Sequence, residues 1–596
     1  MKNQKNKEWQ TREWQGFDFK AQPEEAQILP LLAAVCEMKP KNEDDWRRLF
    51  RKYPKPNGGF YSKTQLLEGA RTLNQFVLPS GMTQEALLEI LRAKPTRTQS
   101  GVTPVTVLTK PYPCPGKCIF CPNDVRMPKS YLSDEPGAQR AMLNRFDPYA
   151  QTWNRLLALH KMGHSVEKIE IIILGGTWSA YTQNYQQYFI LRCFEALNDF
   201  RIDQDQVPYE PNQDDLNFLD MPSLDPSETE GYNLKVSRYL KEKQGTLHVD
   251  KESATWDQIE KAHLINENAY CKLVGLVVET RPDEISESEV LRLRRLGATK
   301  IQIGLQSLDD RVLSMNERGH DLKQSKQAMF ALRQAGFKIH AHWMANLYGA
   351  TVESDIADFE KLFTDPAFKP DELKLYPCSL IANTPLMTHF EAGRWKPYDR
   401  ESLLKLLVAI MPKAPLYCRL SRVIRDIPST DIVVGNQETN FREVAEKTLL
   451  AQGIHLKEIR AREIKLRSIN DQVIPNAYSY STISGQNYFL SFDTADGALL
   501  GFCRLHLPFL KEISPELKGE AMIREVHVYG QSLGIGFYKE GVSQHQGLGK
   551  ALIQRAKEIA RKAGYHSLAV ISAVGTRNYY RKLGFEDGEL YQHFRF

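Results

Sequence analysis

Lys110-Pro-Tyr-Pro-Cys114-Pro-Gly-Lys-Cys118-Ile-Phe-Cys121-Pro122 decides how this chain is read. Its three cysteines have the CxxxCxxC spacing that lets one short loop wrap a cubane. Three thiolates hold three irons of a [4Fe–4S] cluster and leave the fourth iron open. S-adenosylmethionine can chelate that iron through its amino and carboxylate groups, and one electron then gives a 5′-deoxyadenosyl radical. Gly116 lets the loop turn tightly, and Pro115 and Pro122 stiffen it. A structural zinc site needs a fourth ligand, and no further Cys or His stands nearby in the sequence.

The loop follows an apolar strand expected at Thr103–Thr109. Beyond it, amphipathic helices alternate with apolar strands. Pro148–Met162 precedes Ile169–Leu174, and Glu252–Asn268 precedes Leu273–Val278. Ser286–Leu296 precedes Lys300–Gly304, and Gln324–Gly336 precedes Lys338–Trp343. The pattern predicts an α/β protein with a partial TIM-like (β/α) barrel of the radical-SAM kind over residues 99–395. Polar residues at the carboxyl ends of barrel strands face the site. Gly175, Gly176 and Thr177 stand at such ends, as do Glu279, Arg281, Gln306, Lys374 and Tyr376. They are the candidate S-adenosylmethionine residues.

A second signature lies far along the chain. Gln544-His-Gln-Gly547-Leu548-Gly549-Lys550 is a QxxGxG turn before the expected helix Gly549–Ala563. Amides at a helix N-terminus point at an anion, and glycines let the backbone approach a pyrophosphate, so the turn suits coenzyme A. It follows the expected strands Asn487–Phe492, Ala498–Leu507 and Met522–Tyr529, and strand Ser567–Ile571 comes after it. Asn578-Tyr579-Tyr580 before Gly584-Phe585 is the pattern that acetyltransferases of the GNAT class use after their second cofactor strand. A tyrosine hydroxyl there can protonate a leaving thiolate. A GNAT-like α/β domain is expected over 480–596, with residues 396–479 as a linker. Glu525 and His527 lie on the strand before the turn; Glu525 could serve as a general base or help bind acetyl-CoA.

The chain has 596 residues, 42% apolar and 25% charged, which suits a soluble globular protein of several domains. No signal peptide and no run long enough to span a membrane is seen, and the nine cysteines are an odd number, so a reducing cytoplasm is expected. Cys36, Cys193, Cys271, Cys378, Cys418 and Cys503 read as small buried hydrophobes. Net charge is only +5, but residues 1–130 carry 21 Lys/Arg against 13 Asp/Glu. Residues 1–98 read as helical: Glu25–Glu37, Asp44–Lys52 and Thr83–Ala93. Arg47, Arg48, Arg51, Lys52, Lys55 and Lys63 occur with no acid between positions 46 and 67, a surface that attracts a phosphate backbone. Ile202–Leu234, with nine acids and no Lys or Arg, reads as an exposed insertion.

With both signatures in hand, the chain resembles the catalytic subunit of Elongator in its single-chain bacterial or archaeal form. The matches include the cysteine loop, Arg145-Phe-Asp-Pro-Tyr149, Glu279-Thr-Arg-Pro-Asp283 and Asn316-Glu-Arg-Gly-His320. They continue through Leu373-Lys-Leu-Tyr-Pro377, Arg425-Asp-Ile-Pro428, Arg524-Glu-Val-His-Val-Tyr-Gly530 and Gly575-Thr-Arg-Asn-Tyr-Tyr-Arg581. The resemblance implies transfer of a carboxymethyl group from acetyl-CoA to carbon 5 of the wobble uridine in a tRNA anticodon. It implies Cys114, Cys118 and Cys121 as cluster ligands and Lys168 as a lysine associated with acetyl-CoA. Glu525, Val526, His527, Val528, Leu548, Gly549, Lys550 and Tyr580 would contact acetyl-CoA, together with Gln544, Gly547 and Asn578. The anticodon arm would lie against the N-terminal basic region. An electron donor such as ferredoxin or flavodoxin is expected, and further subunits are not required. Many relatives carry a zinc-suited cysteine cluster in the linker, but Gly453-Ile-His-Leu-Lys-Glu-Ile-Arg-Ala461 has no cysteine, so no linker zinc is expected. The rival reading is a protein or histone lysine acetyltransferase with a structural iron–sulfur barrel and Glu525 as base. A tRNA-binding scaffold with degenerate sites is the third.

Overall fold

The computed structural model describes residues 25–55, 58–72, 77–94, 98, 100–202, 207–208, 231–243, 252–425, 427–438, 440–464, 472–509, 513–530 and 547–596. Two compact units emerge. The first comprises residues 1–98, 153–166 and 201–210. Its described part contains the helices Glu25–Met38, Glu43–Lys52, Lys63–Thr72 and Gln84–Leu91. Asn42 and Thr83 cap two of them by accepting from the backbone N–H of Asp45 and Ala86. Leu31, Leu32, Val35, Leu49, Leu66, Leu67 and Leu91 form its core.

The second unit holds the barrel and the C-terminal sheet. The barrel strands are β1 (Thr103–Leu108), β2 (Lys168–Leu174), β3 (Lys272–Thr280), β4 (Lys300–Gln306), β5 (Lys338–Ala345), β6 (Glu372–Pro377) and β8 (Arg419–Val423). They pair in parallel in the order β1-β2-β3-β4-β5-β6-β8. The short β7 (Leu380–Ile381) and β9 (Ile432–Val434) make a separate antiparallel pair. Apolar side chains such as Ile169, Ile171, Ile301, Ile303, Ile339 and Leu373 are buried on alternate positions. The intervening positions, Lys300, Gln302, His340 and His342, are buried but polar. β8 lies beyond the expected end of the barrel at 395: Arg419-Leu-Ser-Arg-Val mixes charge with apolar residues and lacks the continuous run of a doubly covered strand.

The C-terminal sheet contains β10 (Ile474–Thr482), β11 (Gly485–Asp493), β12 (Leu499–Pro508), β13 (Ala521–Val528), β14 (Ser567–Val570), β15 (Glu586–Asp587) and β16 (Gln592–Arg595). Its order is β10-β11-β12-β13-β14-β16-β15. Among the described strands of this sheet, only β13 and β14 pair in parallel. β10 starts before residue 480, inside the expected linker. It is an edge strand with most side chains exposed, so it carries little apolar signal.

A buried ionic lattice joins barrel and sheet. Asp371, beside β6, is wholly buried and pairs with Arg524 of β13, Arg504 of β12 at 3.4 Å and Arg333 at 3.8 Å. Burial opposes ionisation, yet the three guanidinium groups hold this carboxyl well below the usual range. Removing the charge leaves three buried cations short of a partner. Asp371→Asn is expected to cost about 3–5 kcal/mol and lower the melting temperature. The wild-type contribution is fully present above about pH 4, where an unfolded aspartate is ionised, and is lost only as pH falls further. Scanning calorimetry of both proteins at neutral and acidic pH checks this; equal melting temperatures at neutral pH would sink it.

Candidate active site

The cysteine loop leaves the carboxyl end of β1. Cys118 and Cys121 are buried and Cys114 partly so. Arg318 donates to the Cys118 sulfur at 3.0 Å, and Arg281 does so at 3.8 Å. A hydrogen bond from Cys121 and these two cations hold Cys118 well below the usual thiol range, against burial. Cys121, the partner in that bond and itself buried, is pushed well up. Ser130 lies 3.2 Å from the Cys121 sulfur, and Thr177 lies 3.5 Å from that of Cys114. A Cβ at Gly116 would sit 1.8 Å from an Arg281 guanidinium nitrogen, so only glycine lets the loop pass under that side chain. Gly175 has φ +152° and its missing Cβ would meet the Thr109 hydroxyl at 1.7 Å. The Gly-Gly-Thr turn is therefore fixed by close approach to the loop's own stem.

Below the loop the barrel interior is polar. Glu279, at the end of β3, accepts from the Tyr131 hydroxyl at 2.8 Å and lies 3.6 Å from His342 Nδ1. His342 Nε2 meets the Gln302 carbonyl oxygen at 3.0 Å, and Lys374 donates to the same oxygen. Burial lowers the Lys374 ammonium to about 8, with Arg422 and Arg425 adding to the effect. Burial and Lys374 keep His342 neutral. Gln306 has φ +69°, and its side-chain oxygen has no hydrogen-bond partner. His320 Nδ1 lies 3.9 Å from Asp283. Tyr376 is pushed up to about 12 by burial. The structure thus gathers Glu279, Arg281, Gln306, Lys374 and Tyr376 at the expected strand ends. It adds Tyr131, Gln302, Arg318, His342 and Arg425, which sequence reasoning gave no role. The period-two polar positions of β4 and β5 were the available signal for Gln302 and His342.

In the C-terminal sheet β13 pairs with β14 only at Ala521, Met522 and Ile523. A bulge at Arg524 then turns β13, and Glu525–Val528 has no β14 neighbour. This leaves a wedge beside the helix Leu548–Lys562, whose N-cap Gly547 has φ +71°. A Cβ at Gly549 would meet the Tyr579 hydroxyl at 2.9 Å, so a larger residue where the helix begins would push that side chain aside. Gln544 lies outside the described residues. Val528 approaches Gly549, and Lys550 is exposed on the first turn. Tyr580 is buried and packs edge-on to Tyr579 and Phe585. Burial pushes its hydroxyl well up, so it stays protonated.

Glu525 faces the barrel. Lys338 of β5 contacts it at 2.5 Å and Arg504 at 2.8 Å. Burial opposes its ionisation, but these two cations keep the carboxyl below the usual range. Burial lowers His527 to about 4. Lys168 opens β2, at the end of that strand away from the cysteine loop, in register with Lys272. The turn at Gly575 packs on Lys272 and Leu273. Lys168 is therefore on the side of the acyl wedge, and burial lowers its ammonium from the ordinary value. Asn578 departs from expectation: it donates to the Glu267 carbonyl at 3.3 Å and to Asn268 at 3.2 Å, and accepts from Arg581 at 2.7 Å. Its amide nitrogen thus faces Glu267 and Asn268, and its oxygen faces Arg581.

In the N-terminal unit the helix brings acids one turn before the basic run. Arg47 pairs with Glu43 at 3.5 Å and Asp44 at 3.3 Å, and Arg48 with Asp45 at 3.2 Å. Arg51 and Lys52 are exposed at the helix end. Lys55 and Lys63 lie over the rings of Tyr61 and Trp46.

Residues 239–362 match the Radical SAM superfamily, 370–451 the Radical_SAM C-terminal domain and 472–585 the Acetyltransferase (GNAT) family. A tRNA uridine(34) acetyltransferase of Dehalococcoides mccartyi is 35% identical over 83% of this chain and 97% of its own. Elongator complex protein 3 of Danio rerio is 33% identical over 84% of this chain and 85% of its own. The solved archaeal Elp3 of Methanocaldococcus infernus with an N-terminal deletion (1–46) superposes with a TM-score of 0.65 at 30% identity, covering 83% of this chain and all of that one. The chain belongs to this family.

The family's domains imply a [4Fe–4S] cluster with S-adenosylmethionine, and acetyl-CoA. The residues present fit them. Among the described residues no three His, Cys, Asp or Glu side chains converge tightly enough for a single metal ion. Three thiols around one loop, faced by two arginines, suit an anionic cluster of several irons. The unpartnered side-chain oxygen of Gln306 stands at the same strand ends. The split between β13 and β14 suits an acyl-pantetheine arm. Among the described residues no helix is long and apolar enough to cross a membrane.

Gly116→Ala is expected to displace Arg281 and to lower cluster retention several-fold, read as iron per chain after anaerobic reconstitution. Wild-type iron content in that variant would show that the close approach is not required.

Proposed function

We propose that this protein transfers a carboxymethyl group from acetyl-CoA to carbon 5 of the wobble uridine of tRNA. The observation that carries the reading is the pairing, in one compact unit, of a cation-faced three-thiol loop with an acyl wedge whose Glu525 is bonded to the barrel through Lys338. When bound, the cluster and S-adenosylmethionine supply a radical able to take hydrogen from the methyl group of acetyl-CoA. Cys114, Cys118 and Cys121 would hold the cluster, and Arg281 and Arg318 would balance its negative charge. Gly175, Gly176, Thr177 and Gln306 would bind S-adenosylmethionine with backbone and amide groups, and Glu279 and Tyr376 would join them. Glu525–Val528 and Leu548–Lys550 would hold acetyl-CoA, and Lys168 lies on that side of the barrel. Tyr580, protonated and buried, can give a proton to the thiolate that leaves on thioester hydrolysis.

Arg51 and Lys52, with the other basic residues of the N-terminal unit, would contact the anticodon arm. A small iron–sulfur or flavin protein of the ferredoxin or flavodoxin kind would reduce the cluster, in the cytoplasm and without further subunits.

The rival, a lysine acetyltransferase, needs Glu525 to accept a proton from an amine. A carboxylate held ionised by two cations is a weak base, which counts against that chemistry. The deciding experiment is anaerobic: reconstituted protein, S-adenosylmethionine, dithionite, acetyl-CoA and unmodified tRNA, followed by mass spectrometry of the nucleosides. We expect 5-carboxymethyluridine that requires every addition and is lost in Cys118→Ser. Acetylated protein formed equally by Cys118→Ser, with no modified uridine from wild type that cleaves S-adenosylmethionine, would favour the rival.

A further inference from the structure

Ile202–Leu234 is an acidic insertion, with nine acids and no Lys or Arg. Residues 203–206 and 209–230 lie outside the described residues. Its returning end, however, is not a surface loop. It enters the helix Tyr232–Lys243, whose Tyr232 and Val236 are buried against Val125, with Leu240 packed beside them. Tyr232, Val236 and Leu240 recur at i, i+4 and i+8, one face of a helix. That face lies on the segment that continues from the cluster ligands. The Tyr232 hydroxyl donates to the Met127 carbonyl at 2.7 Å, and Lys129 sits over its ring.

Asn233 reaches the cysteine loop itself. Its carboxamide oxygen accepts from the Cys114 backbone N–H at 2.9 Å, and its amide nitrogen donates to the Cys114 carbonyl at 2.6 Å. Both polar groups of one ligand residue are thus tied to a single side chain 119 positions away. The amide orientation is unambiguous, because the N–H needs an acceptor and the carbonyl a donor. Just beyond the helix, Glu252 pairs with Lys110 at the start of the same loop. The loop is therefore gripped at Lys110, Cys114, Met127 and Lys129 by the segment that follows the insertion.

We propose that Asn233 is a positioning residue that engages the Cys114 backbone N–H and so withholds it as a donor to the cluster. The reduction potential of an iron–sulfur cluster depends on hydrogen bonds to its sulfurs, on local charge and on solvent exposure. A backbone N–H turned toward a sulfur stabilises the more negative, reduced state and raises the potential. By engaging that N–H, Asn233 holds the potential down, as a cluster that must deliver an electron to a sulfonium requires. The inference rests on the three-thiol loop holding a cluster, and not on the identity of the nucleic-acid product.

The test is an EPR-monitored redox titration of full-length protein reconstituted anaerobically, with iron per chain measured alongside. Asn233→Ala frees the N–H and admits water, so the potential rises. The expected size is about tenfold more reduced cluster at a fixed solution potential, or about 60 mV for one electron. Asn233→Asp keeps an acceptor for the N–H but sets a negative charge against the Cys114 carbonyl, so the potential falls. Tyr232→Phe, which removes the hydroxyl that bonds the Met127 carbonyl and the Tyr112 backbone but keeps both Asn233 bonds to Cys114, leaves it at the wild-type value. Shifts of opposite sign in the two Asn233 variants support the proposal. No shift, a shift of the same sign in both, or failure of both to take up iron while Tyr232→Phe does so would overturn it in favour of a merely structural contact. Absence of modified uridine from the wild type would count against the proposed reaction and leave this result standing.

Discussion

The ionic lattice centred on Asp371 fixes the geometry on which everything else in the larger unit depends. A single buried carboxylate–guanidinium pair is a poor source of stability, because desolvation offsets most of its attraction. Here one carboxylate meets three guanidinium groups, and the charges continue outward. Arg504 also binds Glu525, Glu525 binds Lys338, and Lys338 binds Glu372 at 2.8 Å. Glu372 and Glu170 share Lys300 at 3.4 and 2.8 Å. Because each charge is satisfied only in one arrangement, the lattice sets how the C-terminal sheet sits on the barrel. That orientation turns the Glu525 face of β13 toward the barrel.

At the other end of the strands the constraint is steric and electrostatic together. Gly116 exists so that Arg281 can cross the loop, and Arg281 with Arg318 makes a buried thiolate tolerable at Cys118. Arg281 is itself held by Asp283 at 2.9 Å through two bonds. Arg318 also donates to the Gly304 carbonyl at 2.9 Å. The cations are thus anchored to the ends of β3 and β4 and the loop follows them. Arg425 extends the same logic, joining the Ser130 carbonyl and Glu135 beside Tyr131.

Much of this was legible in the sequence, for a physical reason. Strands buried on both faces read as apolar runs, so β2 through β5 announce themselves, and cysteine spacing announces the loop. What escaped notice depends on contacts distant in sequence. β8 and β10 carry charge or lie at an edge. Asn233 looks like one more polar residue after an acidic stretch, and only folding brings it to Cys114. Arg47 and Arg48 read as unpaired cations along the chain until a helical turn sets Glu43, Asp44 and Asp45 beside them. Asn578 fits a cofactor pattern, yet its neighbours in space are Glu267 and Asn268.

The same distinction bears on the chemistry. A GNAT sheet acting on an amine needs a basic group with room to accept a proton and a path for the amine to reach it. In this chain the acid on β13 is built into the lattice and cannot take a proton without leaving Lys338 and Arg504 short of a counter-charge. Protonating it therefore breaks up a buried ion pair, which is unfavourable. The sheet is therefore suited to hold a thioester in place while another centre does the chemistry. The barrel offers that centre: its interior is charged and hydrogen-bonded from Glu372 to Glu279, whereas a barrel kept only for stability fills its interior with layers of branched apolar side chains. A polar interior of this kind costs stability and is explained by the ligands it receives.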